Sequence, residues 1–195
     1  MFTGIIEEVG EVLAIQKEAG NIHFTIACAL SAGFKIDQSV AHNGCCLTVV
    51  SQNETTHTVT AIQETLNKTN LGSWQIGTKV NIERCMQLGG RLDGHMVQGH
   101  VDCIGVCTDI QDENGSWRYT FMHPSDFVTV EKGSITVNGT SLTVVDSQNG
   151  RFSVCIIPYT YEHTNFHQLA LGAEVNLEFD IIGKYVARYM SLKKD

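Results

Sequence analysis

The stretch Asn43-Gly44-Cys45-Cys46-Leu47-Thr48-Val49-Val50 occurs a second time, as Asn138-Gly139-Thr140-Ser141-Leu142-Thr143-Val144-Val145. Six of the eight positions agree, and the two that differ hold Cys45 and Cys46 in one copy, Thr140 and Ser141 in the other. Asn-Gly supports a tight turn with positive φ, and Leu-Thr-Val-Val after it reads as a β-strand. A turn feeding a strand, made twice, marks an internal repeat, and a repeat decides the architecture.

Working outward, an offset of 95 positions aligns the two halves almost without gaps. Gly4 meets Gly99, Gly10 meets Gly105, Ser39 meets Ser134 and Thr65 meets Thr160. Thr69-Asn70 meets Thr164-Asn165, and Gly77, Val80, Asn81 and Glu83 meet Gly172, Val175, Asn176 and Glu178. Roughly a quarter of the aligned positions match, against roughly 6% expected from composition, so the chain is a tandem duplication. Each copy consists of short strands broken by turn residues. Ile22 to Ala29, Thr56 to Ile62, Trp117 to Phe121 and Phe152 to Ile157 alternate or are rich in Thr, Val and Ile, as half-buried strands are. Gln75 to Glu83 reads as a turn and a final strand, echoed by Leu171 to Phe179. About six strands per copy suit a small closed barrel, which leaves no free edge. The expected fold is all-β: tandem six-stranded Greek-key barrels over 1–93 and 94–179, linked through Gly89-Gly90 to Gly94, with a C-terminal helix over 180–195. In that tail the apolar residues 181, 182, 185, 186, 189 and 190 form a helical stripe, with Asp180 as N-cap. The stripe has no counterpart after the first copy. It packs on its own barrel or on the same stripe of other subunits, and its two tyrosines favour self-association.

Composition excludes several classes. The 195 residues suffice for one large domain or two small ones. A formal net charge of -8 argues against nucleic acid as a partner. No run of roughly 18 apolar residues offers a membrane span, and the start of the chain lacks the pattern of a signal peptide; a cytoplasmic protein is expected. Seven cysteines show no disulfide ladder. A zinc site at Cys103, Cys107, His95 and His100 is disfavoured. No C-x-x-C pair occurs, and the two histidines lie five apart in what reads as a strand, on opposite faces.

Two like barrels imply two like ligands, bound where the copies agree and acted on where they differ. His100 stands where the first copy has Ile5, and imidazole titrates near neutral pH. Cys46 against Ser141 places a thiol and a hydroxyl at equivalent positions.

Several separate motifs in order resemble the riboflavin synthase family (α-subunit type) over essentially the whole chain. They are the opening Met-Phe-Thr-Gly-Ile-Ile, His42 to Thr48, Glu64-Thr65-Leu66, Gly94-His95 to Asp102, Lys132-Gly133-Ser134 to Val144, Pro158-Tyr159-Thr160, and Asn176 to Asp180. The resemblance implies a homotrimer held by the C-terminal helices, with each active site between the N-terminal barrel of one subunit and the C-terminal barrel of the next. It implies dismutation of two molecules of 6,7-dimethyl-8-ribityllumazine per site: a four-carbon unit passes from donor to acceptor, giving riboflavin and 5-amino-6-ribitylamino-uracil, without metal or redox cofactor. Carried over by position, the first pocket takes Gly4, Ile5, Ile6, Cys46, Leu47, Thr48, Thr60, Ala61, Ile62, Gln63, Glu64 and Thr65. The second takes Gly99, His100, Val101, Lys132, Ser141, Leu142, Thr143, Ile156, Ile157, Pro158, Tyr159, Thr160 and Tyr161. His100, Cys46, Thr48, Ser39, Ser141, Thr143, Asp180 and Phe2 match positions linked to turnover. Asn138 departs from the family pattern, since some members carry an acid there.

Two other readings compete. A lumazine- or flavin-binding optical antenna protein would keep the barrels and lose the reactive side chains, yet His100, Cys46, Ser141 and Thr143 are all present. The flavin barrel of a reductase would need a dinucleotide domain, and no G-x-G-x-x-G follows a strand.

Overall fold

Both Asn-Gly pairs adopt positive φ at each residue, 45° and 77° at Asn43 and Gly44, 46° and 80° at Asn138 and Gly139. That is the backbone a two-residue hairpin of the I′ kind demands. In the computed structural model, which describes residues 1–193, the first turn joins β3 (Ser39–His42) to β4 (Cys45–Gln52). The rest of the first barrel is β1 (Glu8–Glu18), β2 (Asn21–Ala27), β5 (Thr56–Ala61) and β6 (Lys79–Arg84). The second barrel repeats it with β7 (Cys103–Asp112), β8 (Trp117–Met122), β9 (Ser134–Val137), β10 (Thr140–Gln148), β11 (Arg151–Ile156) and β12 (Glu174–Phe179). The strands close in the order β1-β2-β5-β4-β3-β6, and the second barrel has the same cyclic order. The run β2-β5-β4-β3 is a Greek key. Short helices α1 (Gln63–Lys68) and α2 (Pro158–His163) follow β5 and β11, and α3 (Ile181–Ser191) ends the described chain.

Three strands end sooner than their composition predicts. The apolar run through Ala29 stops at Ala27 because Glu8 accepts from the backbone N–H of Ala29 (2.7 Å) and Leu30 (3.1 Å), pulling Ala29–Gly33 into a 3-10 turn. Ile62 and Ile157 leave their strands to precede α1 and α2. The expected strand through His95 and His100 is replaced by irregular backbone with one bridge, Phe2 to Val97.

Each barrel encloses its own core. Phe24, Val40, Leu47, Val49, Val59 and Ile82 turn inward in the first, and Phe121, Ile135, Val144, Phe152, Val154 and Leu177 in the second. The first core also holds two histidines. His42 Nε2 lies 2.8 Å from His57 Nε2, His57 Nδ1 lies 2.8 Å from the Ser31 hydroxyl, and His42 Nδ1 lies 3.0 Å from the Val40 carbonyl. The carbonyl can only accept, which fixes one proton order: Ser31 O–H to His57, His57 N–H to His42, His42 N–H to Val40. Every polar atom is satisfied with both rings neutral. The aligned positions in the second barrel are Val137 and Phe152.

The barrels meet back to back at the repeated turns. A Cβ added to Gly44 would lie 2.7 Å from the Gly139 nitrogen, and one on Gly139 would lie 2.6 Å from the Gly44 nitrogen. Buried asparagines surround this contact. Asn81 donates to the Asn138 carbonyl (2.9 Å) and to the Asn165 side chain (3.0 Å), while Asn176 donates to the Asn43 carbonyl (2.9 Å) and accepts from the Asn70 N–H (2.8 Å). Buried amides are tolerated because their donors and acceptors are paired. This explains why Asn43, Asn70 and Asn81 recur as Asn138, Asn165 and Asn176: each barrel presents to the other the surface it receives.

The two leading segments cross over. The Gly4 carbonyl accepts from the Ser141 N–H of the second barrel (2.7 Å), and the Gly99 carbonyl from the Cys46 N–H of the first (2.9 Å). Val101 packs against the core of the first barrel.

Candidate active site

The candidate hydroxyl and thiol side chains lie on the outer faces of β3–β4 and β9–β10. Register places Ser39 opposite Thr48 and Ala41 opposite Cys46, and likewise Ser134 opposite Thr143 and Thr136 opposite Ser141. Side chains alternate along a strand, so these hydroxyls and the thiol share the outer face while Leu47 turns into the core. Ala61 and Ile156 are likewise core residues. Leu47, Ala61 and Ile156 therefore turn their side chains into the cores and present main-chain groups to the outer faces.

In the first half-site Cys46 is half-buried beside Ser39, and Thr48 is exposed. Burial pushes the Cys46 thiol above its ordinary value, and the Ser39 hydroxyl pulls it part of the way back. Cys46 is thus a thiol at neutral pH, a weak donor suited to holding water or a ring edge rather than a preformed thiolate. The crossed arm brings Gly99, His100 and Val101 against this face, with His100 exposed. By extension of the β4–β5 register, the exposed residues Ile62, Gln63 and Glu64 emerge beside the start of β4, with Thr65 half-buried. The Thr60 hydroxyl lies 2.8 Å from His23 Nδ1.

In the second half-site the Ser141 hydroxyl lies 2.7 Å from His95 Nδ1. Burial lowers the His95 pKa, and nearby Asp180 opposes that shift. His95 Nε2 is buried and has no partner among the described residues. A neutral imidazole on a serine hydroxyl, with a carboxylate nearby, is an arrangement that can move a proton. Asp180 also caps α3, accepting from the Ile182 N–H at 2.9 Å. The arm that passes Ser141 carries Gly4, Ile5 and Ile6; Ile5 is exposed and Ile6 half-buried. Thr143 is exposed, Leu142 packs on the second core, and Lys132 sits exposed with φ 64° just before β9. At the start of α2, the preceding Ile157 and the first-turn residues Pro158 and Tyr159 are exposed and Thr160 is half-buried. The Tyr161 ring stacks on Trp117 with centroids 3.9 Å apart.

The structure lays the Gly4 arm, with Ile5 and Ile6, on the second barrel's face and the Gly99 arm, with His100 and Val101, on the first, whereas the resemblance grouped each arm with its own barrel. Phe2 is 0% exposed, packed with Ala41 and Val97 beneath Cys46 and Cys85. It pins the two arms together, with its N–H on the Val97 carbonyl at 2.7 Å. His95 was weighed from the sequence only as a zinc ligand, because at an offset of 95 no residue of the first copy stands opposite it for comparison. The only signal was its place in the Gly94 to Asp102 motif.

Two closed barrels with paired, unequal ligand faces define a lumazine-binding class. The lumazine binding domain family matches the chain twice, over residues 3–85 and 98–180. Among solved structures, LumP complexed with 6,7-dimethyl-8-(1'-D-ribityl) lumazine has a TM-score of 0.83 at 21% identity, covering 91% of this chain and 98% of that one. LumP complexed with riboflavin has a TM-score of 0.84 at 23% identity, with the same coverage. These share the fold. Similarity in sequence is greater to riboflavin synthase of Actinobacillus pleuropneumoniae, 41% identical over 100% of this chain and 91% of that protein. Riboflavin synthase of Bacillus subtilis is 39% identical over 97% of this chain and 90% of its own, and that of Mycobacterium tuberculosis 42% over 97% and 98%. The chain belongs to the riboflavin synthase family.

Proposed function

We propose that the chain dismutates two molecules of 6,7-dimethyl-8-ribityllumazine, moving a four-carbon unit from one to the other to give riboflavin and 5-amino-6-ribitylamino-uracil. The observation that carries this reading is the pair of unequal half-sites. Each has a serine or thiol and a threonine on an outer strand face, crossed by the other barrel's arm, and only one arm carries an imidazole, His100, where the other has Ile5. Equal pockets bind two like molecules; the inequality assigns them different parts.

A methyl group on the lumazine ring is acidic because its carbanion delocalises into the ring, so a weak base suffices and His100 takes that proton. Cys46 and Thr48 hold a nucleophile or water against the acceptor ring, and Ser141 with His95 handles protons at the second ring. Donor and acceptor are the same compound, so electrons balance without a redox cofactor or metal. Holding two rings in reacting register contributes up to ~7–11 kcal/mol for well-oriented partners.

The two half-sites must face each other across a subunit boundary, and α3 supplies the contact. Its stripe is not covered by its own barrel: Tyr185 is 74% exposed and Tyr189 58%. A cavity of about 720 Å³ between α3 and the 126–134 segment is walled by Phe127, Val128, Val130, Phe179, Ile182 and Val186. Exposed apolar surface of this kind supports self-association through α3, and the family resemblance makes the assembly a homotrimer. Seven free cysteines support a reducing compartment, hence the cytoplasm. No helix among the described residues is long and apolar enough to cross a membrane.

Incubating the protein with the lumazine and following riboflavin absorbance tests the activity. Tight binding with no turnover over hours overturns it in favour of an antenna-type binding protein.

A further inference from the structure

Each barrel spends one buried glutamate on the backbone of an arm. Glu178 of β12 is 2% exposed, and its two oxygens accept from the N–H groups of Gln98 (2.8 Å), Gly99 (2.9 Å) and His100 (2.9 Å). Glu83 of β6 is 4% exposed and accepts from the Thr3 N–H (2.6 Å), the Thr3 hydroxyl (2.8 Å) and the Gly4 N–H (3.0 Å). Neither makes an ion pair among the described residues. Three donors on two accepting oxygens is the bonding pattern of a carboxylate, and such charge-assisted bonds are stronger than neutral ones.

The glycine in each arm is held from both sides. Glu178, in the second barrel, takes the Gly99 N–H, and Cys46, in the first, donates to the Gly99 carbonyl. Glu83, in the first barrel, takes the Gly4 N–H, and Ser141, in the second, donates to the Gly4 carbonyl. Both glycines have left-handed φ, 78° and 76°, and a Cβ on either would lie within 2.7 Å of the Cys46 or Ser141 Cβ. The arms have no other regular structure to fix them beyond the Phe2–Val97 bridge.

We propose that Glu178 and Glu83 are positioning residues for the reaction: Glu178 latches the arm that sets His100 and Val101 on the first half-site, and Glu83 latches the arm that sets Ile5 and Ile6 on the second. The proposal rests on the reading of these faces as lumazine sites. Each ligand face is then built by one barrel and aligned by a carboxylate of the other, which couples the two half-sites of a chain without contact between their ligands. The latches have unequal consequences because the arms carry different groups. The Glu178 arm carries an imidazole to its face; the Glu83 arm itself carries aliphatic walls to the other and touches the first arm through the Phe2–Val97 bridge and the His95 N–H on the Thr3 carbonyl.

The test compares Glu178→Gln with Glu83→Gln, since an amide must turn one donor toward backbone donors. Glu178→Gln is expected to lower kcat at least tenfold and to flatten the limb of the kcat–pH profile that Glu83→Gln retains. Glu83→Gln is expected to raise KM with kcat held within about threefold. Hydrogen exchange should show the Gly99 and His100 amides deprotected in Glu178→Gln alone, and Gly4 in Glu83→Gln alone. Equal kcat losses in both variants, or arm amides as protected as in the unaltered chain, overturn the proposal. Should the glutamine variants fail to fold, Glu178→Asp, which keeps the charge but shortens the reach, must show the same selective exchange at Gly99 and His100 or the latch is refuted. An unaltered chain that binds the lumazine without turnover sinks the assignment of activity, and the exchange comparison still decides the latch.

Discussion

At the scale of single residues, the glycines of the repeated turn are fixed by geometry. Gly44 and Gly139 combine left-handed φ with a contact that a methyl group would occupy at under 3 Å from opposing backbone. Gly44→Ala or Gly139→Ala is expected to cost about 2–3 kcal/mol, read as a shift in the urea midpoint, because strain and close backbone approach add. Gly20→Ala, where nothing lies within 4 Å, should leave the midpoint nearly unchanged. Equal shifts at both kinds of position would show that the turn contact contributes nothing.

At the scale of elements, β3 and β5 carry a buried histidine pair that the second barrel lacks. Burial pushes His42 down to about 3, with neighbouring His57 adding to the effect, and pushes His57 down to about 4 against the opposing pull of Glu8. Cys28 and Cys45 lie in the same core, and burial pushes both thiols up to about 12, so neither supplies a countercharge. Above pH 6.5 both rings are neutral folded and unfolded, and they impose no penalty. As pH falls below 6.5 the unfolded chain binds protons that the folded barrel refuses. Stability then declines by about 1.4 kcal/mol per pH unit for each ring, until the folded values near 4 and 3 are reached. The double change His42→Val with His57→Phe, which copies Val137 and Phe152, should flatten the fall in denaturation midpoint between pH 6.5 and 4.5. An unchanged pH slope would place the acid sensitivity elsewhere. For α3, removal of residues 181–195 should abolish trimers in sedimentation while both barrels still bind ligand. A truncated chain that stays trimeric would remove the helix from the interface.

At the scale of the whole molecule, the proposed site takes its halves from different subunits, which makes inactive variants complementary. Cys46→Ala damages the first half-site and Ser141→Ala the second. Co-expressed, they should assemble mixed trimers in which about a quarter of the sites join two intact halves. Activity well above either parent is the expected outcome; none above the parents would mean that one chain supplies the entire site.

The duplication, the strand-rich barrels, the helix with its Asp180 cap and most of the outer-face hydroxyls were legible in the sequence. These features rest on local rules: Asn-Gly turn chemistry, alternation along strands, a helical stripe, and identity between copies. The crossing of the arms was not. It depends on bonds such as Glu178 to Gly99 and Gly4 to Ser141, between residues far apart in the chain, and no periodicity records a partner that distant. For the same reason His95 next to Ser141, Phe2 beneath the site and the His42–His57 pair emerged only once the strands had closed. Sequence alone determined that there are two barrel faces of one kind; tertiary packing decided which arm lies on which face, because it alone brings a carboxylate of one barrel to the backbone that borders the other.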